Sequence, residues 1–357
     1  MTHAAPDSER APALPGAGSL PRGGRVLVVR LSALGDVLFA LETVAALRRD
    51  RPDVAIDFLV EDRFASLLQG HPQIDRVIVY PRRRHLAIPR SLLALRRQSY
   101  DVVLDLHGIQ KSALHVWLAR ARLKLGAGPP ASREGAQFAY HRAVAMPGAL
   151  PHRADVGHRL LADLGLSGVP CAPVLATVPP PADLLANLPR PIVLLHPGTS
   201  AFAAFKRWPA ERFAALAPRL AARGLGVAVS FGPGESDLAA PLLAAAPSAR
   251  AIDGSLLGLR GLAGVMQQCA VVVAADTGPL HIAAAVGVRC VALFGPKDTT
   301  RYGPRGHGGI THEVLYHDVP CRPCKLRDCP SPQCVLGIGV DAVEAAVLRQ
   351  LAPGAAR

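Results

Sequence analysis

One carboxylate stands out before any element is assigned. In RVLVVRLSALGDV, residues 25–37, a stiff apolar run breaks at Ser-Ala-Leu-Gly and places Asp36 where a helix should start. Free backbone N–H groups and the positive end of a helix dipole stabilise a carboxylate there, so Asp36 suits a helix cap. It also suits a general base, an ionised oxygen at a loop end within reach of a substrate. Position alone leaves both roles open. The turn holds a single glycine, Gly35, in place of the G-x-G-x-x-G of a dinucleotide fold, which argues against a nicotinamide site.

A second set of groups fits an anion. AVVVAADTGPLHIAAAVG reads as a strand ending at Asp276, a turn at Thr277 and Gly278, and a helix whose Pro279 forfeits no hydrogen bond in the first turn. Free N–H groups at such a terminus bind phosphate, and Gly278 lets a pyrophosphate approach the backbone. His281, one turn further on, is expected to face the same ligand. An ordinary capped helix with a satisfied histidine is the alternative. The loop HPGTSAFAAFKRWP adds the hydroxyls of Thr199 and Ser200 and the ammonium of Lys206, an inventory for holding phosphate oxygens. A solvated loop lysine is the plainer reading of Lys206. In GPGESDLA, Glu235 follows a strand and either accepts from a ribose hydroxyl or sits at a helix N-terminus.

Seven cysteines is an odd count and argues against a fully paired secreted framework. Cys321, Cys324, Cys329 and Cys334 crowd into CRPCKLRDCPSPQC. In a reducing compartment this cluster reads as thiolates around a structural zinc ion sooner than as disulfides, with free thiols or a redox-labile pair as alternatives. From Arg76 to Arg97 there are seven arginines and no acid, with Arg82, Arg83 and Arg84 consecutive. Charge runs are usually solvated surface, but the absence of acids favours an anion-binding rim, extended by Lys111. No aromatic ring falls between Arg82 and Arg97, so stacking on bases has no support and no nucleic-acid partner is expected.

These groups need elements to hold them. Strand-like runs alternate with helical ones: RVLVVRL, VAIDFLV, RVIVY and DVVLDL are each followed by a helical pattern, the last by KSALHVWLARA. Such alternation is the signature of βαβ units and of a parallel sheet covered on both faces. Around residues 168–191 the pattern gives way to a proline-rich stretch, GVPCAPVLATVPPPADLLANLPRP, and then restarts with PIVLLHPG, GVAVSFG, AVVVAAD and CVALFG. The expected class is α/β with two Rossmann-like, doubly wound domains facing across a cleft, where ligands bind at the carboxyl ends of the strands. The expected division is a disordered extension over 1–24, an N-terminal domain over 25–170, a linker over 171–190, a second domain over 191–340, and a C-terminal helix and tail over 341–357.

The 357 residues exceed what one hydrophobic core usually supports. No apolar run approaches the roughly 20 residues that cross a bilayer, and the first residues lack the apolar core of a secretory signal, so a cytoplasmic protein is expected. Forty Lys and Arg against 27 Asp and Glu give +13, a field that favours phosphorylated substrates, anionic lipid or nucleic acid.

In combination the motifs resemble one family. VVRLSALGDVLFAL, DVVLDLHGIQKSAL, LLHPGTSAFAAFKRWP, FGPGESD and VVVAADTGPLHIAAAVGVRCVALFGPKD are similar, in this order, to the ADP-heptose lipopolysaccharide heptosyltransferases of glycosyltransferase family 9. The likeness spans roughly residues 25–350. It implies a GT-B fold, an acceptor site on the N-terminal domain, and a nucleotide-sugar site on the second. It implies inverting transfer of heptose from ADP-heptose to the inner core of lipopolysaccharide, an acceptor of Kdo-lipid A type, with Asp36 as general base. Thr199, Ser200, Lys206, Glu235, Asp276, Thr277, Gly278 and His281 fall on the donor side, and Arg82, Arg83, Arg84 and Lys111 are assigned to the acceptor. No Asp-x-Asp occurs anywhere in the chain, so catalysis is expected to need no metal or other cofactor. Peripheral contact with the inner-membrane surface is expected from the arginines.

Overall fold

A computed structural model of the chain describes residues 20–82, 88–146, 150–326 and 328–352. Its first half forms β1 (Arg25–Val29), β2 (Ala55–Glu61), β3 (Arg76–Tyr80), β4 (Ser99–Asp105), β5 (Arg120–Ala127) and β6 (Arg142–Val144). Between and after these strands lie α1 (Leu34–Asp50), α2 (Asp62–Leu68), α3 (Ile88–Arg96), α4 (Gln110–Leu118) and α5 (Asp155–Asp163). The second half forms β7 (Ile192–His196), β8 (Gly226–Phe231), β9 (Arg250–Asp253), β10 (Val271–Ala275), β11 (Arg289–Leu293) and β12 (Glu313–Leu315). Its helices are α6 (Ala210–Ala222), α7 (Ser236–Ala245), α8 (Gly254–Gln267), α9 (Gly278–Ala285), α10 (Thr299–Tyr302), α11 (Gln333–Leu336) and α12 (Val340–Leu351).

Each half builds a parallel six-stranded sheet, ordered β3-β2-β1-β4-β5-β6 and β12-β11-β10-β7-β8-β9. Counted from its own first strand, each sheet has the order 3-2-1-4-5-6, and the winding reverses beside that strand. The crevice where ligands of such sheets bind therefore opens at β1/β4 in the first lobe and at β7/β10 in the second.

The registers are set by strands buried on both faces. Val26 pairs with Ile56 and Val102, and Val28 with Phe58 and Leu104. These side chains enter one core, while Leu27 and Val29 point to another on the opposite face. The first core continues through α1 and α9 to Leu194, Ala228 and Val272 of the second sheet, so the two lobes share one apolar layer. Every residue of α1 from Val37 to Leu47 is buried. A helix apolar on all sides belongs between layers, and α1 is enclosed by its own sheet, α5 and α9.

Several expectations need correction. Leu20 is buried in the first lobe's core and its carbonyl accepts from Arg51, so the chain is docked from residue 20 onward; residues 1–19 lie outside the described ones. The helix read from KSALHVWLARA stops at Leu118, and β5 begins two residues later. Strands β5, β6, β9 and β12 carry no clear apolar run. They sit at or next to a sheet edge, where one face is only partly covered. Between Gly168 and Pro191 there is neither helix nor strand, and Val178 lies against α8, where its carbonyl leaves no room for a side chain on Gly264.

Candidate active site between the two sheets

The chain leaving β1 turns into α1 so that Asp36 stands in the first helical turn, its side chain 22% exposed. Its Oδ2 meets Arg30 Nη2 at 2.5 Å and accepts weakly from the Ala33 N–H at 3.4 Å; its Oδ1 meets Arg153 Nε at 3.2 Å. Asp36 is thus both the first-turn carboxylate of α1 and the partner of two arginines. Burial would raise its pKa, but Arg30 and then Arg153 outweigh that and hold it well below the usual carboxylate range. Arg30 is fixed in turn, donating to the carbonyls of Leu106 and Ser32, with its side chain 4% exposed. Burial lowers the Arg30 pKa to about 10, so it stays charged at neutral pH. Burial, followed by the Arg30 charge, lowers the neighbouring His107 to about 2; its neutral Nδ1 accepts from the Leu31 N–H.

The other lobe presents its groups at β7/β10. Lys206, at the end of a 3-10 turn over Ala201–Lys206, reaches across the switch point to Asp276 Oδ2 at 2.5 Å. Burial opposes ionisation of Asp276, but His281 and Lys206 prevail and its pKa falls. A carboxylate would repel a pyrophosphate, so Asp276 acts here as the anchor that aims Lys206. Thr277 heads α9 with its hydroxyl buried and unpartnered, an orphan that an anionic oxygen would satisfy. Thr199 is buried, and its hydroxyl donates to the Ala203 carbonyl at 3.2 Å, bracing the turn that carries Lys206, whereas Ser200 beside it is exposed. Glu235 Oε2 accepts from the Gly232 N–H at 2.8 Å and packs against Gly198, where an added Cβ would fall 2.1 Å from the same oxygen. It joins the loops after β7 and β8.

The two sets meet head to head. A Cβ on Gly278 would lie 2.5 Å from Leu34, and one on Gly35 would lie 2.5 Å from the His281 ring. Gly278 thus lets Leu34 of the opposite lobe come against the backbone. His281 is buried in this seam, edge-on to Phe39 at 4.9 Å, with Nε2 3.6 Å from Asp276. It faces Phe39 of α1 and braces Asp276.

Other assigned residues lie elsewhere. Lys111 is taken by Glu61 at 2.6 Å and lies over the Tyr80 ring, which makes it a paired group at the β2/β3 edge. Arg82 is exposed; Arg83 and Arg84 lie outside the described residues. The zinc reading does not fit the geometry. All four cysteines of the cluster are free, from exposed Cys321 to buried Cys334, and no group of three or more metal-ligating side chains is gathered among the described residues. The segment instead clamps the loop after β11: Cys324 N–H bonds to the Pro296 carbonyl, and Arg322 to those of Gly295 and Lys297. Sequence reading missed Arg30, His107 and Arg153. An arginine inside the buried run RVLVVRL was a usable signal, since a buried cation requires a partner; Arg153 had none.

Two Rossmann-like lobes, each a parallel six-stranded sheet, facing one another give the GT-B fold. The family model described as glycosyltransferase family 9 (heptosyltransferase) matches residues 90–334, and the chain belongs to that family. It is an enzyme of the glycosyltransferase class. Lipopolysaccharide heptosyltransferase 1 of Pseudomonas aeruginosa is 31% identical over 85% of this chain and 87% of its own. Escherichia coli heptosyltransferase WaaC, solved with ADP, superposes with a TM-score of 0.72 at 26% identity over 91% of this chain and 99% of its own. The same enzyme with ADP-2-deoxy-2-fluoro heptose gives 0.71 at 25% identity, over 92% and 100%.

Proposed function

We propose that this enzyme transfers heptose from ADP-heptose to a Kdo-lipid A type acceptor of the lipopolysaccharide inner core, with inversion. The observation that carries the mechanism is the face-to-face start of α1 and α9: Leu34 and Gly35, which precede Asp36, pack against Gly278 and His281. An acceptor hydroxyl attacks an anomeric carbon efficiently only as it sheds its proton, and Asp36 is the ionised group at that place. As the bond to ADP breaks, negative charge grows on the diphosphate. Lys206, the Thr277 hydroxyl and the N–H groups at the head of α9 are already oriented to receive it, so no resident metal is assigned a step. Ser200, on the loop after β7, and Glu235, on the loop after β8, are assigned to the nucleotide's phosphate and sugar.

The acceptor's lipid places the enzyme at a membrane surface, on the cytoplasmic side. Among the described residues no helix is long and apolar enough to cross a bilayer. Support for peripheral contact comes from the first lobe, where α4 exposes Leu114 and Trp117 and the following 3-10 turn exposes Phe138, beside exposed Arg120 and Arg122. The likeness to enzymes named lipopolysaccharide heptosyltransferase, and to one solved with ADP and a fluorinated ADP-heptose, supports donor and acceptor class. The test is a donor screen: purified protein with ADP-heptose and with other nucleotide sugars, with and without Kdo-lipid A. Acceptor-dependent ADP release from ADP-heptose is expected; acceptor-dependent release from a different nucleotide sugar alone would overturn the assignment.

A further inference from the structure

Asp36 is paired twice, and the two partners are not alike. Arg30 is locked by two carbonyls as well as by the carboxylate. Arg153, from the segment before α5, touches Asp36 through a single Nε contact at 3.2 Å. Its backbone N–H donates to the carbonyl of Arg301, in α10 of the other lobe, at 3.1 Å. The Arg301 Nε is buried without a hydrogen-bond partner, and no carboxylate pairs with that guanidinium among the described residues. Burial lowers the Arg301 pKa, and the neighbouring charges of Arg153 and Arg133 lower it further. Asp298, the nearest acid, is occupied by the Thr300 N–H and hydroxyl. Arg30 and Arg153 thus share one carboxylate, and Arg301 of the other lobe stands beside Arg153 with its Nε donor unpaired.

We propose that Arg153 and Arg301 form an anion-receiving site across the seam, which takes a carboxylate or phosphate of the acceptor and, once filled, draws Arg153 off Asp36. This rests on Asp36 being the base. Before the acceptor arrives, Arg153 keeps the carboxylate a poor proton acceptor and so restrains water from attacking the donor. With the anion in place, Asp36 retains Arg30 only. The acceptor hydroxyl then gives its proton to Asp36 as its oxygen bonds to the anomeric carbon, and ADP leaves with the electron pair of the broken C–O bond. Arg153 is in this scheme a positioning residue. The charged or titratable groups facing Asp36 are Arg30 at the end of β1, Arg153, and His107 after β4; those facing Arg301 are Arg133, Arg153, Asp298 and Tyr302.

Arg153→Gln removes the charge while keeping a donor. Losing one charge-assisted contact predicts an acceptor KM raised about 10- to 100-fold. Donor hydrolysis without acceptor should rise, and the acid limb of kcat/KM should move to higher pH, because removing a cation raises the Asp36 pKa. Arg153→Lys should restore part of each change. Arg301→Gln should raise the acceptor KM and leave the acid limb in place. Acceptors with carboxylates reduced to alcohols, or with phosphates removed, identify the anion: the one that erases the difference between wild type and Arg153→Gln lacks it. Carbon NMR titration of Asp36 with and without acceptor reads the same release directly. If Arg153→Gln binds ADP normally yet keeps the wild-type KM, hydrolysis rate and acid limb, the contact is a structural ion pair and the proposal fails. If the titration shifts with acceptor while Asp36→Asn still transfers sugar, the anion site stands and the base assignment fails.

Discussion

Asp36 and Lys206 are both ionised and both paired, but the pairs have different consequences. Asp36 is opposed by two cations, so it is charged at any pH at which the protein works, and substitution by Asn removes charge with little change of shape. Asp36→Asn is expected to slow transfer by ~10²- to 10⁴-fold, the usual worth of a general base, while ADP affinity measured by calorimetry stays near wild type. Unchanged turnover would leave Asp36 a helix cap. Lys206 is aimed by Asp276 across the switch point of the second sheet. Lys206→Ala is expected to weaken ADP binding and lower kcat together, since the ammonium meets the diphosphate before and during bond cleavage. A variant that lost only kcat would show that Lys206 acts on the leaving group alone.

At the scale of elements, the site exists because two helices begin face to face. α1 and α9 each follow the carboxyl end of a central strand, and each has a glycine where the other approaches. The same first lobe turns α4 outward. Trp117 is 65% exposed and Phe138 85%, next to exposed Arg120 and Arg122. A ring with an apolar body at a basic surface is suited to the headgroup level of an anionic bilayer. Replacing both rings with Ser is expected to abolish flotation with vesicles rich in anionic lipid while leaving transfer to a delipidated, water-soluble acceptor unchanged. Flotation retained in that variant would remove this surface from the membrane reading.

For the molecule as a whole, the junction of lobes is also a charge cluster. Glu42 of α1 is buried, with His158 Nε2 at 3.5 Å from its own lobe and Arg305 and His307 of the other lobe at 3.4 Å each. Arg305 also binds Asp155 at 2.6 Å. Burial would raise the Glu42 pKa, but His158, His307 and then Arg305 bring it down to about 2. A depressed carboxylate pKa stabilises the fold above the unfolded value of about 4.3, and that stabilisation is lost as pH falls towards the folded value. The contribution is on the order of 3 kcal/mol at most. Wild-type Tm should therefore fall between about pH 5 and pH 2, and Glu42→Gln should show a lower Tm at neutral pH with a flatter decline through that interval. A variant with the wild-type Tm and the same acid sensitivity would place the acid-labile group elsewhere.

By itself the sequence determined the layers and the turns. Apolar runs such as VLVV and VVVAA can only be strands covered on both faces, and the residues just past them, Asp36, Lys206 and Thr277, had to lie at the carboxyl ends where such sheets bind ligands. These are local signals, written within ten or fifteen residues. What only the tertiary structure decided was who meets whom. Arg153 reaches Asp36 across 117 positions and Lys206 reaches Asp276 across 70, while His281 packs edge-on against Phe39 of the other lobe. Lys111 is claimed by Glu61, and the clustered cysteines are free thiols. A charge's partner is set by Coulomb attraction and desolvation at a few ångströms, and those distances exist only after both sheets have closed on their shared core.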